Sequence, residues 1–208
     1  MTDQVERTTT TAARAVAERY REVNGDHPMS AADDAYVTRE FVTLPVLCAT
    51  LGLDPDQVRG DMLEGLLPLP SYLRSDGAEM VPADLFALAE AAGGTARLRS
   101  WFVGHWADPA EAEAEWDGYL SGQYVCLRAV SPATIRRKGE LMTAIDAALA
   151  APAPDAAPWL ARLHWLVDGL DALEPDFTAS ASPARSPGTP TSPRSAPASP
   201  TRDDVRPR

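Results

Sequence analysis

Residues 41–94 read FVTLPVLCATLGLDPDQVRGDMLEGLLPLPSYLRSDGAEMVPADLFALAEAAGG, and the fold turns on this stretch. Thr43 stands as an N-cap before the apolar run Leu44 to Leu51, and Gly52 stops that run. Asp54 caps a second helix, Pro55 takes its first position, and Gln57 has capping-box spacing. That helix ends near Gly65, because Pro68 and Pro70 lack the N–H a continuing helix needs. SYLR and EMVP then flank Asp76-Gly77, a pair whose tolerance of positive φ marks a hairpin turn. Pro82 to Ala92 reads as a further helix, closed by Gly93-Gly94.

Helix, turn, helix, hairpin and helix in this order describe a winged helix-turn-helix module. The stretch resembles the N-terminal domain of the mercury-resistance-regulator (MerR) type. Val58-Arg59 falls within the second helix, Gly65-Leu66-Leu67-Pro68 follows it, and the hairpin leads into PADLFAL, as in that family. The resemblance implies DNA binding, and it would assign phosphate contacts to Arg59, Tyr72 and Arg74. Where the family usually has aromatic residues after Val-Arg, this chain has Gly60, Asp61 and Met62.

Charge speaks against that inherited role. On a helical wheel Val58, Met62 and Leu63 face the core, and Asp56, Gln57, Gly60, Asp61 and Glu64 face outward. The cations of residues 41–94 are Arg59 and Arg74, against the carboxylates of Asp54, Asp56, Asp61, Glu64, Asp76, Glu79, Asp84 and Glu90. DNA affinity comes largely from neutralising phosphates with Lys and Arg, which this surface does not offer. The whole chain of 208 residues carries a formal charge of −11, which disfavours nucleic acid and anionic membrane surfaces alike. All but one of its 19 basic residues are arginines, Lys138 being the exception, as the codon bias of a high-GC bacterium produces. No apolar run approaches a membrane span, the first residues lack a signal-peptide core, and Cys48 and Cys126 show no disulfide framework. A reducing cytoplasm is the expected location.

Outside the module, Thr11 to Val23 reads as a helix placing Ala12, Val16, Tyr20 and Val23 on one face, preceded by a polar start. Asp26 to Asp34 reads as a loop, and Tyr36 to Val42 as either extended or a short helix. Residues 1–40 thus form an N-terminal helix and loop, 41–94 the module, and 95–173 a helical extension. In the extension, Leu98, Trp101, Phe102 and His105 share one helical face, and Asp108-Pro109 opens a helix carrying Trp116, Tyr119 and Leu120. Gln123 to Val130 is irregular or helical. Ser131-Pro132 opens a helix expected to bury Ile135, Leu141, Met142, Ile145 and Leu149. After the linker APAPDAAP, a last helix from Trp159 to Leu173 is expected to bury Trp159, Leu163, Leu166, Val167 and Leu170. Residues 174–208 are a Ser/Pro/Thr/Arg tail too poor in hydrophobes to offset its ordering entropy, so disorder is expected there. The fold class is therefore mainly α, with a small β-hairpin, a helical extension and a tail whose removal should leave the melting temperature unchanged.

Catalytic patterns are sparse. The three His and two Cys lack metal-site spacing, and there is neither a phosphate loop nor a nucleophile elbow. No metal and no cofactor is expected. Cys126 with His105 is the one nucleophile-base pairing on offer, against packing roles for both. The aromatic group Trp101, Trp106, Trp116, Tyr119 and Tyr124, with His105 and Arg128 among it, is either core or the lining of a cleft. The ligand-binding candidates are Tyr72, His105, Trp106, Tyr119, Tyr124 and Arg128, with Tyr72, Tyr124 and Arg128 expected to converge beside the hairpin. From Val37 to Leu149 the order of these segments is similar to uncharacterised proteins from natural-product biosynthetic clusters of high-GC bacteria. That resemblance implies an accessory role in secondary metabolism, binding a partner protein or small molecule. The alternatives are a DNA-binding regulator of MerR-like type and an enzyme with its site around Cys126 and His105.

Overall fold

A computed structural model describes residues 10–174. The expectations for the first residues and for the tail, including the effect of its removal, lie outside the described residues. The elements are α1 (Thr11–Asn24), α2 (Ala31–Glu40), β1 (Val42–Thr43), α3 (Leu44–Leu51), α4 (Pro55–Leu63), β2 (Tyr72–Leu73) and β3 (Glu79–Val81). Then follow α5 (Ala87–Ala92), α6 (Thr95–Val103), α7 (Pro109–Leu120), a 3-10 turn (Gln123–Cys126), α8 (Pro132–Ala150) and α9 (Ala157–Asp171). The architecture is mainly helical with a small three-stranded antiparallel sheet in the order β1-β3-β2. None of the described helices is long and apolar enough to cross a membrane.

Local chemistry explains most boundaries. Gly52 ends α3 at φ +69°, and Asp54 caps α4 by accepting from the Asp56 amide at 3.0 Å. Gln57 does not complete a capping box; its amide donates to Asp61 one turn on. Asp76 shapes the hairpin turn by accepting from the Ala78 amide at 3.1 Å, with Gly77 at φ +79°. The sheet has a strand that the sequence reading left open: β1 pairs with β3 through Val42↔Val81 and Thr43↔Met80, and β2 pairs on the other side through Tyr72↔Met80.

Several expectations are corrected. Ala31 to Asp34 is helical, not loop, because Ser30 and Asp33 form a reciprocal capping box that starts α2. The helix expected from Pro82 begins only at Ala87; residues 83–86 form turns closed by Leu85 N–H to Pro82 O and Ala87 N–H to Asp84 O. Leu63 is exposed, and Arg59 instead joins Val58 and Met62 on the buried face of α4. Val23 is exposed at the end of α1, where Val16 and Tyr20 are buried. On the last two helices only Ile135, Leu141 and Leu166 are buried among the expected positions, while Met142, Leu149 and Val167 are exposed. The reason is geometric: α8 and α9 pack chiefly on each other, so each helix has one covered face and the outer half of its apolar residues meets solvent.

One apolar core runs through Leu44, Leu47, Cys48, Val58 and Met62 into Leu98, Phe102, Trp106, Trp116, Tyr119 and Ile135. It therefore crosses residue 94, and residues 41–94 share their interior with the helices that follow. Phe102 is its centre, with ring centroids 4.7 Å from Trp106, 5.3 Å from Trp116 and 5.3 Å from Tyr119. A smaller cluster of Val37, Tyr72 and Met80 sits under α2 on the sheet.

Candidate functional site

A cavity of about 310 Å³ opens where α2, the turn before α5, the end of α7 and residues 122–130 meet. Its volume lies at the lower end of the range of about 300–1,000 Å³ typical of ligand sites. The end of α2 supplies Tyr36, Glu40 and Phe41; the chain leading into β2 supplies Pro68, Leu69 and Ser71. Pro82 to Leu85, with Ala87 and Leu88, form a second wall, and Tyr119, Gly122, Tyr124, Val125, Leu127, Arg128 and Val130 form the third.

Backbone hydrogen bonds fix these walls to one another. The Leu69 amide donates to the Leu120 carbonyl at 2.8 Å, joining the proline-bounded loop to the end of α7. Gly122 then turns the chain at φ +76°, so closely that an added Cβ would stand 3.0 Å from the carbonyl oxygens of Leu69 and Pro70. Both the positive φ and the backbone contacts reject a side chain. Gly122→Ala is expected to cost about 1–3 kcal/mol in urea-induced unfolding; a loss below that would mean the loop moves aside freely. Beyond the 3-10 turn, the Arg128 amide donates to the Leu173 carbonyl at 2.8 Å, and the Arg128 side chain donates to the Glu174 carbonyl at 2.8 Å.

The polar groups on the walls differ in how well they are satisfied. The Tyr124 hydroxyl donates to Glu115, and burial followed by that bond pushes its pKa well above the ordinary tyrosine value. Tyr36 is also raised, by burial and then by the charge of Glu40, while Arg39 over its ring at 5.6 Å works the other way. Tyr119 is 5% exposed and its hydroxyl has no hydrogen-bond partner among the described residues. Burial, and then the charge of Asp84, hold that phenol in its neutral form. A buried hydroxyl without a partner forfeits about 1–3 kcal/mol. Tyr119→Phe keeps the ring and removes this cost, so stability in urea is expected to stay level or rise by about 1 kcal/mol. A clear fall would show that the hydroxyl is satisfied in the resting protein.

Of the six ligand-binding candidates, the structure brings Tyr119, Tyr124 and Arg128 to this cavity and leaves three elsewhere. Tyr72 is not on the cavity wall: it is buried with Val37 and Met80, edge-on to Phe41 at 5.1 Å, and its neighbour Ser71 takes a wall position. His105 lies exposed against Trp101 at 4.7 Å. Trp106 is in the core; its indole N–H is buried without a partner among the described residues. The pairing of Cys126 with His105 does not form: Cys126 receives a hydrogen bond from Lys138 Nζ at 2.9 Å, and Lys138 also bonds Glu174 at 2.6 Å. Burial works against the Lys138 charge, but the bonds to Cys126 and Glu174 outweigh it and raise its pKa. Reasoning from the sequence missed Tyr36 and Glu40 of α2, Asp84 of the turn before α5 and Leu88 of α5, three segments with no shared motif.

The DNA candidates are likewise placed. Arg59 is buried and bonds Glu79 through two nitrogens, at 2.9 Å from Nε and 2.5 Å from Nη2, with Asp56 at 2.6 Å on its third nitrogen. Arg74 at the hairpin binds Asp76 at 2.6 Å and 3.0 Å and reaches Thr38 at 3.2 Å.

No curated protein and no solved structure matches the chain. Over residues 98–189, from the aromatic core of α6 onward, the chain is similar to a family of unknown function (DUF6058).

Proposed function

We propose that the protein binds a small, largely apolar molecule in the cavity beside the sheet, using a winged-helix-like scaffold as an accessory component of natural-product biosynthesis. The observation that carries this reading is the cavity itself, about 310 Å³ and walled largely by proline, leucine, valine and aromatic side chains from several elements. The setting in secondary metabolism rests on the resemblance of residues 37–149 to proteins of such clusters.

The rival reading, a DNA-binding regulator, draws support from the helix pair α3 and α4 followed by the β2–β3 hairpin. Against it, Arg59 and Arg74 are already engaged by carboxylates, and Asp56 on α4 and Glu64 at its C-terminal end are exposed. No nanomolar, salt-sensitive complex with a promoter fragment is therefore expected, whereas specific regulators reach about 10⁻⁸ to 10⁻¹¹ M.

The cavity is tested with the uncharged fluorescent probe N-phenylnaphthylamine. Saturable one-to-one binding is expected for the full chain, and its loss in Ala87→Trp, since Ala87 is exposed on the wall and a large side chain there fills the space without disturbing the core. Absence of saturable binding, or equal binding by the variant, would sink the reading.

A further inference from the structure

The last two helices leave one apolar face uncovered, and its place follows from how they pack. Gly169 lies against the Leu141 side chain, the Trp159 indole donates to the Ala148 carbonyl at 3.2 Å, and Leu166 is buried. These contacts set α8 and α9 antiparallel. In such a pair, the residue one step after a contact position turns to the same side from either helix. The successors here are Met142, Leu149, Leu160 and Val167, and all four are 37–52% exposed. Ile145, Leu163 and Leu170 lie half-buried between them and form a floor. Ile135, seven residues before Met142 on the same side, is sealed in the main core, so the body covers this side only at the base of the pair. Trp165 precedes Leu166 and turns the opposite way, with Arg137 over its ring at 5.6 Å.

The rim of this face is acidic. Asp146 stands between Met142 and Leu149 on α8, and Asp171 follows Val167 by one turn on α9. Both are exposed, and neither makes a hydrogen bond or ion pair among the described residues. His164 shares the rim, and Lys138 at the base is already bonded to Glu174 at 2.6 Å. From this we infer that the face is a docking groove for one amphipathic helix of a protein partner, apolar where it enters and carrying Lys or Arg on its flanks. The stretch from Leu160 to Leu170 runs about 15 Å, or about three helical turns. A third helix laid there completes the packing that the pair lacks, and its cations meet Asp146 and Asp171. A second copy is disfavoured, since its rim carries the same carboxylates and each chain a formal charge of −11. An anionic membrane is disfavoured on the same ground. None of the groove residues lines the cavity, so the inference stands apart from the function proposed above.

Fluorescence anisotropy of the full chain with a labelled amphipathic helix of leucine and lysine tests the assignment, against a counterpart in which glutamate replaces lysine. The contact is small, so the basic peptide is expected to bind at about 1–10 μM, and the acidic one about tenfold more weakly or worse. Leu149→Glu combined with Val167→Glu should weaken the basic peptide about tenfold or more; both positions are exposed, so the fold is kept. Plain attraction of a basic peptide to an acidic chain would instead hold or tighten binding in that variant, and that result would overturn the assignment. Asp146→Asn combined with Asp171→Asn should weaken binding about threefold and reduce its sensitivity to salt. Val46→Glu, at an exposed position on α3, should leave binding unchanged, and an equal loss there would sink the groove as the site. So would absence of saturable binding, or equal binding of the two peptides. If sedimentation shows a dimer that the paired Glu substitutions dissolve, the face belongs to a second copy and the assignment falls. It falls likewise if a synthetic peptide of residues 175–208 displaces the probe, or if phosphatidylcholine vesicles take up the chain through the same residues.

Discussion

Glu79→Ala destabilises the protein by about 3–5 kcal/mol, the range expected when one partner of a buried ion pair is removed. The two side chains are 7% and 4% exposed, and the bond to Glu79 is the main reason the Arg59 pKa rises still further above its usual value. Without Glu79 the guanidinium stays buried between α4 and β3, with only the half-exposed Asp56 left to answer it. A pair with so exposed a carboxylate contributes about 0–1 kcal/mol, so Asp56 cannot compensate. The penalty belongs to the orphaned charge and not to the worth of the pair. The double variant Arg59→Met with Glu79→Leu is therefore expected to fall within about 1–2 kcal/mol of the parent protein in urea unfolding. A mild effect of Glu79→Ala, with DNA affinity lost in Arg59→Met, would return Arg59 to a recognition role.

Phe102→Ala is the second large effect, at about 3–5 kcal/mol, because the phenyl ring is fully buried and its removal leaves a void that the backbone cannot close. Three other rings lean on it, at centroid distances of 4.7–5.3 Å. Their fixed geometry should be visible as near-ultraviolet circular dichroism, and that signal is expected to weaken even below the unfolding transition. Tyr119 is one of the three, so binding of N-phenylnaphthylamine should weaken in the same variant. A stability loss of about 1 kcal/mol or less would mean that Trp106 and Trp116 collapse into the gap.

What the sequence revealed was what a few adjacent residues decide. The stops at Gly52, Gly77 and Gly93 require positive φ, and caps such as Asp54, Asp108 and Ser131 answer the first amides of their helices. What it hid depends on partners far along the chain. The helical wheel puts Arg59 on neither the core face nor the outward face, and Glu79, brought alongside by β3, makes it an interior residue. Strand β1 is two residues long and has no period to detect; it exists because Val81 and Met80 stand opposite it. Leu149 and Val167 fit an apolar stripe, yet periodicity does not tell whether a second layer covers that stripe. Tyr119, Tyr124 and Arg128 stood in an aromatic group legible in the sequence, but Asp84 and Glu40 reach the same space from turns and helix ends whose local sequence shows no relation to it.

The hydrogen bond from the Arg128 amide to the Leu173 carbonyl spans both of the last helices. It works as a clasp at the base of a long loop, and the entropy of closing such a loop grows only slowly with its length. Because α8 and α9 pack mainly on each other, the loop can hold its helical pairing while the clasp opens and closes. Amide exchange at Arg128 then reports the undocking of this hairpin as a unit, at a lower free energy than the exchange of the Leu69 amide, which waits for the whole core to come apart. The rim of the cavity that Arg128 carries is thus hinged on the α8–α9 pair, and a ligand held there would slow that opening from across the loop.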